Sequence, residues 1–374
     1  MRKRVYLILW GSALLACLTK IRFLPATLKI VLWVSCILAN APGVLVIGQL
    51  IGYLWVRTIP GYLGAALLSS LLWEPLIRWL ERPISRSRRL FLVGGAGLVM
   101  GGYATAVERV NYQIRSFKLY IPDLPKELEG KRIVLMADLH CGPVNRPSSL
   151  APALKLANEC RPDLVLLPGD FVHYSSSYFG ESAEWLAGLR PTVPGNVVMS
   201  WGNHDHWNDI QKARAALQGV PGHILCQQRL LLQPDGSLAE EGESGLWLCG
   251  LDDLWEGQPD LAGVVRGIPG NQPRLVLCHN PDVAEEQRAQ RVDLMVSGHT
   301  HGGQVSLPGV GAPVVPSRYG QKYVCGWVMG PGGYPVYVTR GLGVGAVPLR
   351  LGVRPEITVF ELCRNEKTGQ TVLI

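Results

Sequence analysis

Seven side chains that can bind a metal ion stand at the ends of short apolar runs: Asp138, His140, Asp170, Asn203, His279, His299 and His301. Taken singly each is ordinary, since an Asp after a strand usually makes a turn and a lone His on an apolar face is usually a core residue. Taken together they offer carboxylate, amide and imidazole donors and no thiol, a set suited to Mn²⁺, Zn²⁺ or Fe and larger than one tetrahedral ion would use. Two ions are the economical reading. About 3.5 to 4 Å apart, a metal pair can share a carboxylate, hold a phosphate oxygen on each ion and stabilise both oxygens of an in-line displacement. Two divalent ions outweigh the charges of Asp138, Asp170 and a bridging hydroxide, so the site attracts an anionic phosphodiester.

The runs that carry these residues are Arg132 to Ala137, Leu164 to Leu167, Val197 to Ser200, Leu246 to Cys249, Leu275 to Cys278 and Leu294 to Val296. Continuous apolar runs of this length predict strands buried on both faces. Helical stretches are expected at Ser148 to Cys160, Glu181 to Leu189, Asp209 to Leu217 and Pro281 to Gln290. Strand, polar tip, helix and strand again is the grammar of an α/β sheet with its site at the carboxyl ends of the strands. Pro335 to Thr339 and Glu356 to Leu362, around the turn Gly341-Leu342-Gly343-Val344-Gly345, are expected to complete a second sheet by hairpin connections.

Asp138-x-His140, Gly169-Asp170, Gly202-Asn203-His204-Asp205, His279 and Gly298-His299-Thr300-His301 resemble, in order and kind, the five-block signature of the calcineurin-like metallophosphoesterases. The resemblance covers about residues 115 to 362. Gly302-Gly303-Gln304 and the tail from Arg340-Gly341-Leu342-Gly343 through Pro348-Leu349-Arg350-Leu351-Gly352 to Pro355-Glu356-Ile357 resemble its bacterial membrane-anchored branch, related to UDP-2,3-diacylglucosamine diphosphatases and general phosphodiesterases. The resemblance implies a four-layer α/β/β/α sandwich and two divalent metal ions, Mn²⁺ first and Zn²⁺ or Fe next. One metal would be held by Asp138, His140 and His301, the other by Asn203, His279 and His299, with Asp170 bridging. His204 would sit beside the phosphate and, as imidazolium, stabilise charge or protonate the leaving alkoxide. Asp205 would set its tautomer.

Around these, His173 and His206 are candidates for lining the substrate pocket, and Trp207 either flanks the substrate or packs locally. Cys141 is read as a packing neighbour of His140, and Asp252-Asp253 as a solvated turn. There is no G-x-x-x-x-G-K-[ST] loop of the kind that cradles nucleoside triphosphates.

Charge divides the 374 residues in two. Residues 1 to 118 hold 15 Lys/Arg against 3 Asp/Glu, and residues 119 to 374 hold 21 against 26, so the overall +7 comes entirely from the N-terminal third. That third has uncharged, mostly apolar runs of 15 residues between Arg4 and Lys20, 27 between Lys29 and Arg57, and 16 between Arg57 and Glu74, with a fourth between Arg89 and Glu108. A membrane span needs about 20 apolar residues, and flanking Lys and Arg can snorkel, so about four spans are expected. The second is broken by Asn40-Ala41-Pro42-Gly43 and reads as a kinked helix. No small-residue cleavage site follows Leu18, which argues against a cleaved signal peptide.

The expected organisation is thus a transmembrane anchor over 1–110, a catalytic domain over 115–362 and a tail over 363–374. Nine scattered cysteines without a C-x-x-C pair suggest neither a disulfide framework nor a thiolate zinc site, and favour a reducing compartment. The expected location is the bacterial inner membrane with the catalytic domain on the cytoplasmic side, although the positive residues flanking the spans do not select a side by themselves. The partners expected are the lipid bilayer and a phosphorylated, lipid-linked substrate such as UDP-2,3-diacylglucosamine, and no nucleic acid. Arg78, Arg82, Arg86, Arg88 and Arg89 could draw anionic headgroups to the same leaflet. The alternative function is a transport or signalling protein whose metal-binding domain is regulatory and has no turnover. It predicts ionisable residues inside the spans, whereas Glu74 and Glu108 lie only near span ends.

Overall fold

The computed structural model describes residues 86–286, 291–345, 347–365 and 372–373. The first three apolar runs lie outside the described residues, as do residues 287–290 of the helix expected to reach Gln290. The chain divides into two compact units, Met1–Gly97 and Leu98–Ile374. Of the first unit, the described part is the N-terminal half of helix α1 (Arg86–Ala106).

The strands are β1 (Gln113–Ile121), β2 (Arg132–Leu135), β3 (Leu164–Pro168), β4 (Val197–Ser200), β5 (His223–Ile224), β6 (Gln228–Leu232) and β7 (Leu238–Ala239). They continue with β8 (Leu246–Gly250), β9 (Arg274–Leu277), β10 (Leu294–Ser297), β11 (Gly326–Met329), β12 (Pro335–Val338), β13 (Glu356–Arg364) and β14 (Val372–Leu373). After α1, the helices are α2 (Pro147–Glu159), α3 (Phe179–Leu186), α4 (Asn203–Trp207), α5 (Ile210–Leu217), α6 (Leu261–Val265) and α7 (Val283–Glu286).

All six apolar runs with polar tips form strands, and the period-two alternation of their side chains sends neighbours into different cores. Ile133 and Leu135 of β2, Leu164 and Leu166 of β3, and Leu294 and Val296 of β10 enter one cluster shared by both sheets. Val134, Val165 and Leu167 turn instead toward Leu150, Ala153 and Ala157 of α2 and Phe179 and Trp185 of α3. Met295 turns toward Leu261 and Val264 of α6 and Val283 of α7. Double-sided burial explains why these strands lack a polar face.

One sheet runs β14-β1-β13-β2-β3-β4-β5 and the other β11-β12-β10-β9-β8-β6-β7. Within the first, β2 through β5 are parallel, and within the second, β8, β9, β10 and β12 are parallel. In each sheet the parallel block delivers its loops to one end, the geometry in which an α/β site is built from strand tips.

Local signals explain the flanking helices. Pro147 opens α2, where its missing N–H is no loss, and Asp209 caps α5 by accepting from the N–H groups of Gln211 and Lys212. Phe91–Val110 is long and apolar enough to cross a membrane, by length and composition. Leu98, Val99 and Met100 within it are exposed.

The tail departs from its expected course. β12 joins the second sheet, but β13 inserts into the first between β1 and β2, so Gly341–Gly345 belongs to a crossover rather than a hairpin turn. The reason lies in its hydrogen bonds: Leu342 N–H donates to Ala137 and Gly343 N–H to Asp138, which lays the segment alongside the end of β2. Within the tail expected over 363–374, Cys363 and Arg364 end β13, and Val372 and Leu373 pair with β1. The tip of β4 also winds into a single helical turn, α4, which the apolar spacing does not predict.

Candidate metal centre

The loop after β2 carries Asp138 and His140, the loop after β3 carries Asp170, and α4, following β4, carries Asn203 and His204. From the second sheet come His279 after β9 and His299 and His301 after β10. Five of these residues, Asp138, His140, Asp170, His299 and His301, have φ between 47° and 71°. Non-glycine residues rarely adopt this left-handed conformation, and such strain gathers where side chains must be aimed at a common point. Two glycines allow the close approach. A Cβ on Gly202 would lie 2.2 Å from Asp170 Oδ1, and one on Gly298 would lie 2.5 Å from Asp138 Oδ2.

The donors converge. Asp138, His140 and His301 form one group whose ligand atoms lie within 4.8 Å of one another, and Asp138, Asp170 and His279 form another. His140 Nε2 faces His301 Nε2 at 2.9 Å and Asp170 Oδ2 at 3.3 Å. The same Asp170 Oδ2 is 3.2 Å from His279 Nε2, which in turn is 3.2 Å from His299 Nδ1. Asp170 therefore stands between the two sets of imidazoles. Its other oxygen accepts the N–H of His204. Asn203, preceding His204 on α4, is buried, and its Oδ1 has no hydrogen-bond partner in the protein.

Contacts around this centre aim the rings. His279 Nδ1 donates to the Pro168 carbonyl across 2.7 Å, and the N–H of His299 donates to Asp138 Oδ1 at 3.0 Å, so each sheet orients a residue of the other. Asn145 Nδ2 donates to the carbonyls of His140 and Val344. Arg350 is fully buried and donates to the carbonyls of Arg340, Gly341 and Gly343, with Nη2 3.5 Å from His301 Nδ1.

Burial dominates the electrostatics. It holds His140 and His301 well below the usual imidazole value, with Arg350 adding to the effect at His301, and takes His299 down to about 3. These rings are neutral at pH 7 and keep lone pairs. Burial also pushes Asp138 up to about 7. At Asp170 burial acts the same way, but His279 beside it wins and holds the carboxyl well below its normal range. His279 is correspondingly raised to about 10 by Asp170, against the effect of its own burial. Among the described residues no Lys or Arg nitrogen comes within 4 Å of Asp138 or Asp170, whose close charged partners are all histidines. Buried carboxylates whose close charged partners are histidines rather than Lys or Arg, three neutral imidazoles and an orphaned amide oxygen are a donor set that fits divalent metal.

His204 and His173 lie at the edge of this cluster, with their Nδ1 atoms 3.0 Å apart. Burial lowers both, His173 to about 4, so the imidazolium expected at His204 is a neutral ring here. Asp205 does not serve as the orienting partner of His204. As the third residue of α4 it reaches back to cap the turn, and its two oxygens accept the N–H groups of Gly202, Asp170 and Phe171. His206 is held by Asp252, with its Nε2 3.1 Å from Oδ1. Asp253 is buried rather than solvated, because its Oδ1 accepts the N–H groups of Trp255 and Glu256. Cys141 packs in the core, where burial pushes its thiol up to about 12.

Sequence reasoning missed Asn145 and Trp255, and took Arg350 only as part of a tail motif. A lone charge inside the apolar stretch Pro348-Leu349-Arg350-Leu351 was the available signal for the last. Trp255 had no comparable cue.

Comparison with known proteins bears on this geometry. A family model described as calcineurin-like phosphoesterase matches residues 131–303. The metallophosphoesterase YkuE of Bacillus subtilis is 32% identical over 292 residues, covering 74% of this chain and 97% of that one. The phosphodiesterase YaeI of Escherichia coli is 36% identical over 237 residues, covering 62% and 82%. A transmembrane protein with metallophosphoesterase domain from Danio rerio is 28% identical over 284 residues, covering 73% of this chain and 62% of that relative.

Proposed function

The chain belongs to the calcineurin-like phosphoesterase family and is a metal-dependent phosphoester hydrolase; from that premise we propose that it cleaves a phosphodiester or pyrophosphate bond of a lipid-linked substrate at a membrane. The observation that carries the hydrolytic reading is Asp170, buried between two sets of imidazoles and in close contact with one nitrogen from each. Asp138, His140 and His301 would hold one ion, Asn203, His279 and His299 the other, and Asp170 both. When bound, such a pair supplies Lewis acidity toward phosphoryl oxygens and a water acidic enough to attack near neutral pH. Mn²⁺ is the proposed metal.

The remaining chemistry falls to the protein. His204, beside the cluster, donates an Nε2–H hydrogen bond to a phosphate oxygen, and once protonated to imidazolium it gives that proton to the leaving oxygen and returns to the neutral ring. The neutral ring needs its proton on Nε2 for the hydrogen bond, the tautomer that follows when His173 Nδ1–H donates to His204 Nδ1. Asp205 contributes by holding the tips of β3 and β4 together.

The cores read as the four layers α/β/β/α, with α2, α3 and α5 outside one sheet and α6 and α7 outside the other. The N-terminal third is read as a helical anchor over 1–110, supported by Phe91–Val110 and by the Danio rerio relative's description as transmembrane. The catalytic domain follows over 115–362, on the cytoplasmic side of a bacterial inner membrane. An anchored site meets a lipid-linked phosphate at the surface where that substrate is concentrated. UDP-2,3-diacylglucosamine is the specific candidate.

The test is to purify the full chain in detergent, strip and restore Mn²⁺, and assay an aryl phosphodiester beside a UDP-linked glycolipid. Turnover of both, faster for the glycolipid, is expected. Turnover of the aryl diester alone removes the lipid assignment, and turnover of neither with metal bound removes the hydrolytic one.

A further inference from the structure

Two indoles stand exposed beside the metal cluster. Trp207, the last residue of α4, is 54% exposed, and Trp255, in the turn after β8, is 39% exposed. Their ring centroids are 6.2 Å apart and their planes 28° from parallel, an offset stack. Each also touches the cluster. Trp207 meets the His204 ring at 4.7 Å, and Trp255 meets the His299 ring edge-on at 4.4 Å.

The pair is held in place by polar contacts. Trp207 Nε1 donates to Glu256 Oε1 at 2.6 Å. The turn bearing Trp255 and Glu256 is folded around the buried Asp253 carboxylate. His206 and Asp252 tie α4 to the same turn. Segments following β4 and β8, from different sheets, are thus fastened so that two large apolar faces meet in water. Indoles carry some of the largest apolar areas of any side chain, and leaving two of them uncovered forgoes stabilisation that burial would give.

We propose that the Trp207–Trp255 shelf is a subsite for a planar aromatic group esterified to the phosphate, a nucleobase-bearing or aryl group. The proposal rests on the hydrolytic reading of the metal cluster. Position favours it, because Trp207 contacts His204, proposed to meet the phosphate, and Trp255 contacts His299, a proposed metal ligand, so a ring on the shelf lies beside the reacting group. Shape favours it too, because near-parallel rigid faces suit stacking, whereas an acyl chain is better enclosed by a concave pocket. Stacking is tolerant of ring identity, so the shelf selects planarity rather than one base.

The experiment uses the full chain in detergent with Mn²⁺ and measures binding of UMP and ribose 5-phosphate by calorimetry, alongside turnover of an aryl phosphodiester. The two ligands share a sugar phosphate and differ in the ring. Native protein should bind UMP about 10-fold more tightly, and Trp207→Leu and Trp255→Leu should each remove most of that preference while leaving ribose 5-phosphate within about twofold. Trp→Phe at either position should restore it, since Phe keeps a stacking face. Leu keeps the apolar character, so a shelf for acyl chains or a bilayer would retain its ligand in the Leu variants. Equal affinity for both ligands, or Leu variants that retain the UMP preference, would overturn the proposal while aryl diester turnover left the hydrolytic reading standing. A UMP preference without any turnover would keep the shelf and defeat the hydrolytic reading.

Discussion

His140 Nε2 and His301 Nε2, from loops of two different sheets and 161 residues apart in sequence, face each other across 2.9 Å in a buried site. Burial holds both rings neutral, so here one Nε2–H donates to the other ring's Nε2 beside Asp138. An ion between the two rings would replace that proton and take a lone pair from each. His301→Ala should therefore reduce bound Mn²⁺ by about one equivalent per chain and leave the thermal unfolding midpoint of the metal-free protein nearly unchanged. Full metal content in the variant, counted by elemental analysis, would remove His301 from the ligand set.

His204 should behave differently. His204→Ala is expected to keep its metals and lose about 10²- to 10⁴-fold in kcat, the range for a removed general acid. His173→Gln should cost less, because the tautomer of His204 would be biased rather than its ring removed. Metal loss in His204→Ala would instead make it a ligand.

Asp205 is expected to matter to stability before rate. Asp205→Ala leaves the buried N–H groups of Gly202, Asp170 and Phe171 without their acceptor, at about 1 to 3 kcal/mol for each such group. Thermal unfolding should show a large loss. A variant with native stability but the catalytic defect of His204→Ala would restore Asp205 to the orienting role.

The His206–Asp252 pair gives stability a pH dependence of known sign. Its hydrogen bond to Asp252 raises His206, and although burial would raise Asp252, His206 holds it down. For the raised histidine, the contribution is complete below its unfolded value of about 6.5 and lost as pH rises through the folded one. For the lowered aspartate, it is complete above about 3.9 and lost as pH falls through the folded value. His206→Gln should therefore be most destabilising near pH 5 to 6 and least at alkaline pH, beyond the histidine's raised folded value. Equal shifts in unfolding midpoint at both pH values would show that the pair is not ionic.

The strands and the donor set were legible because both rest on local chemistry. β2, β3 and β10 needed only apolar residues on both faces, and Asp138, Asp170 and His299 stood at their tips. What was not legible depends on where distant segments come to lie. β13 has the same local pattern whichever sheet accepts it, and its place beside β2 follows from Leu342 and Gly343 bonding to the end of that strand. Asp205 follows His204 directly, yet the turn of α4 swings its carboxylate toward the backbone, and His173, 31 residues away, meets the ring instead. Trp255 touches His299 across 44 positions with no sequence pattern to announce it. The β1 strand was missed because its exposed half, with Arg115 and Lys118, hides the alternation of Phe117, Leu119 and Ile121.

The most direct test is the number of Mn²⁺ ions bound per chain at equilibrium, measured for the full-length protein and for Asp170→Asn. Two ions in the native protein and a loss of at least one in the variant is the predicted result. A native protein that binds a single ion or none, or an Asp170→Asn variant that still holds both with native affinity, would contradict the dinuclear centre.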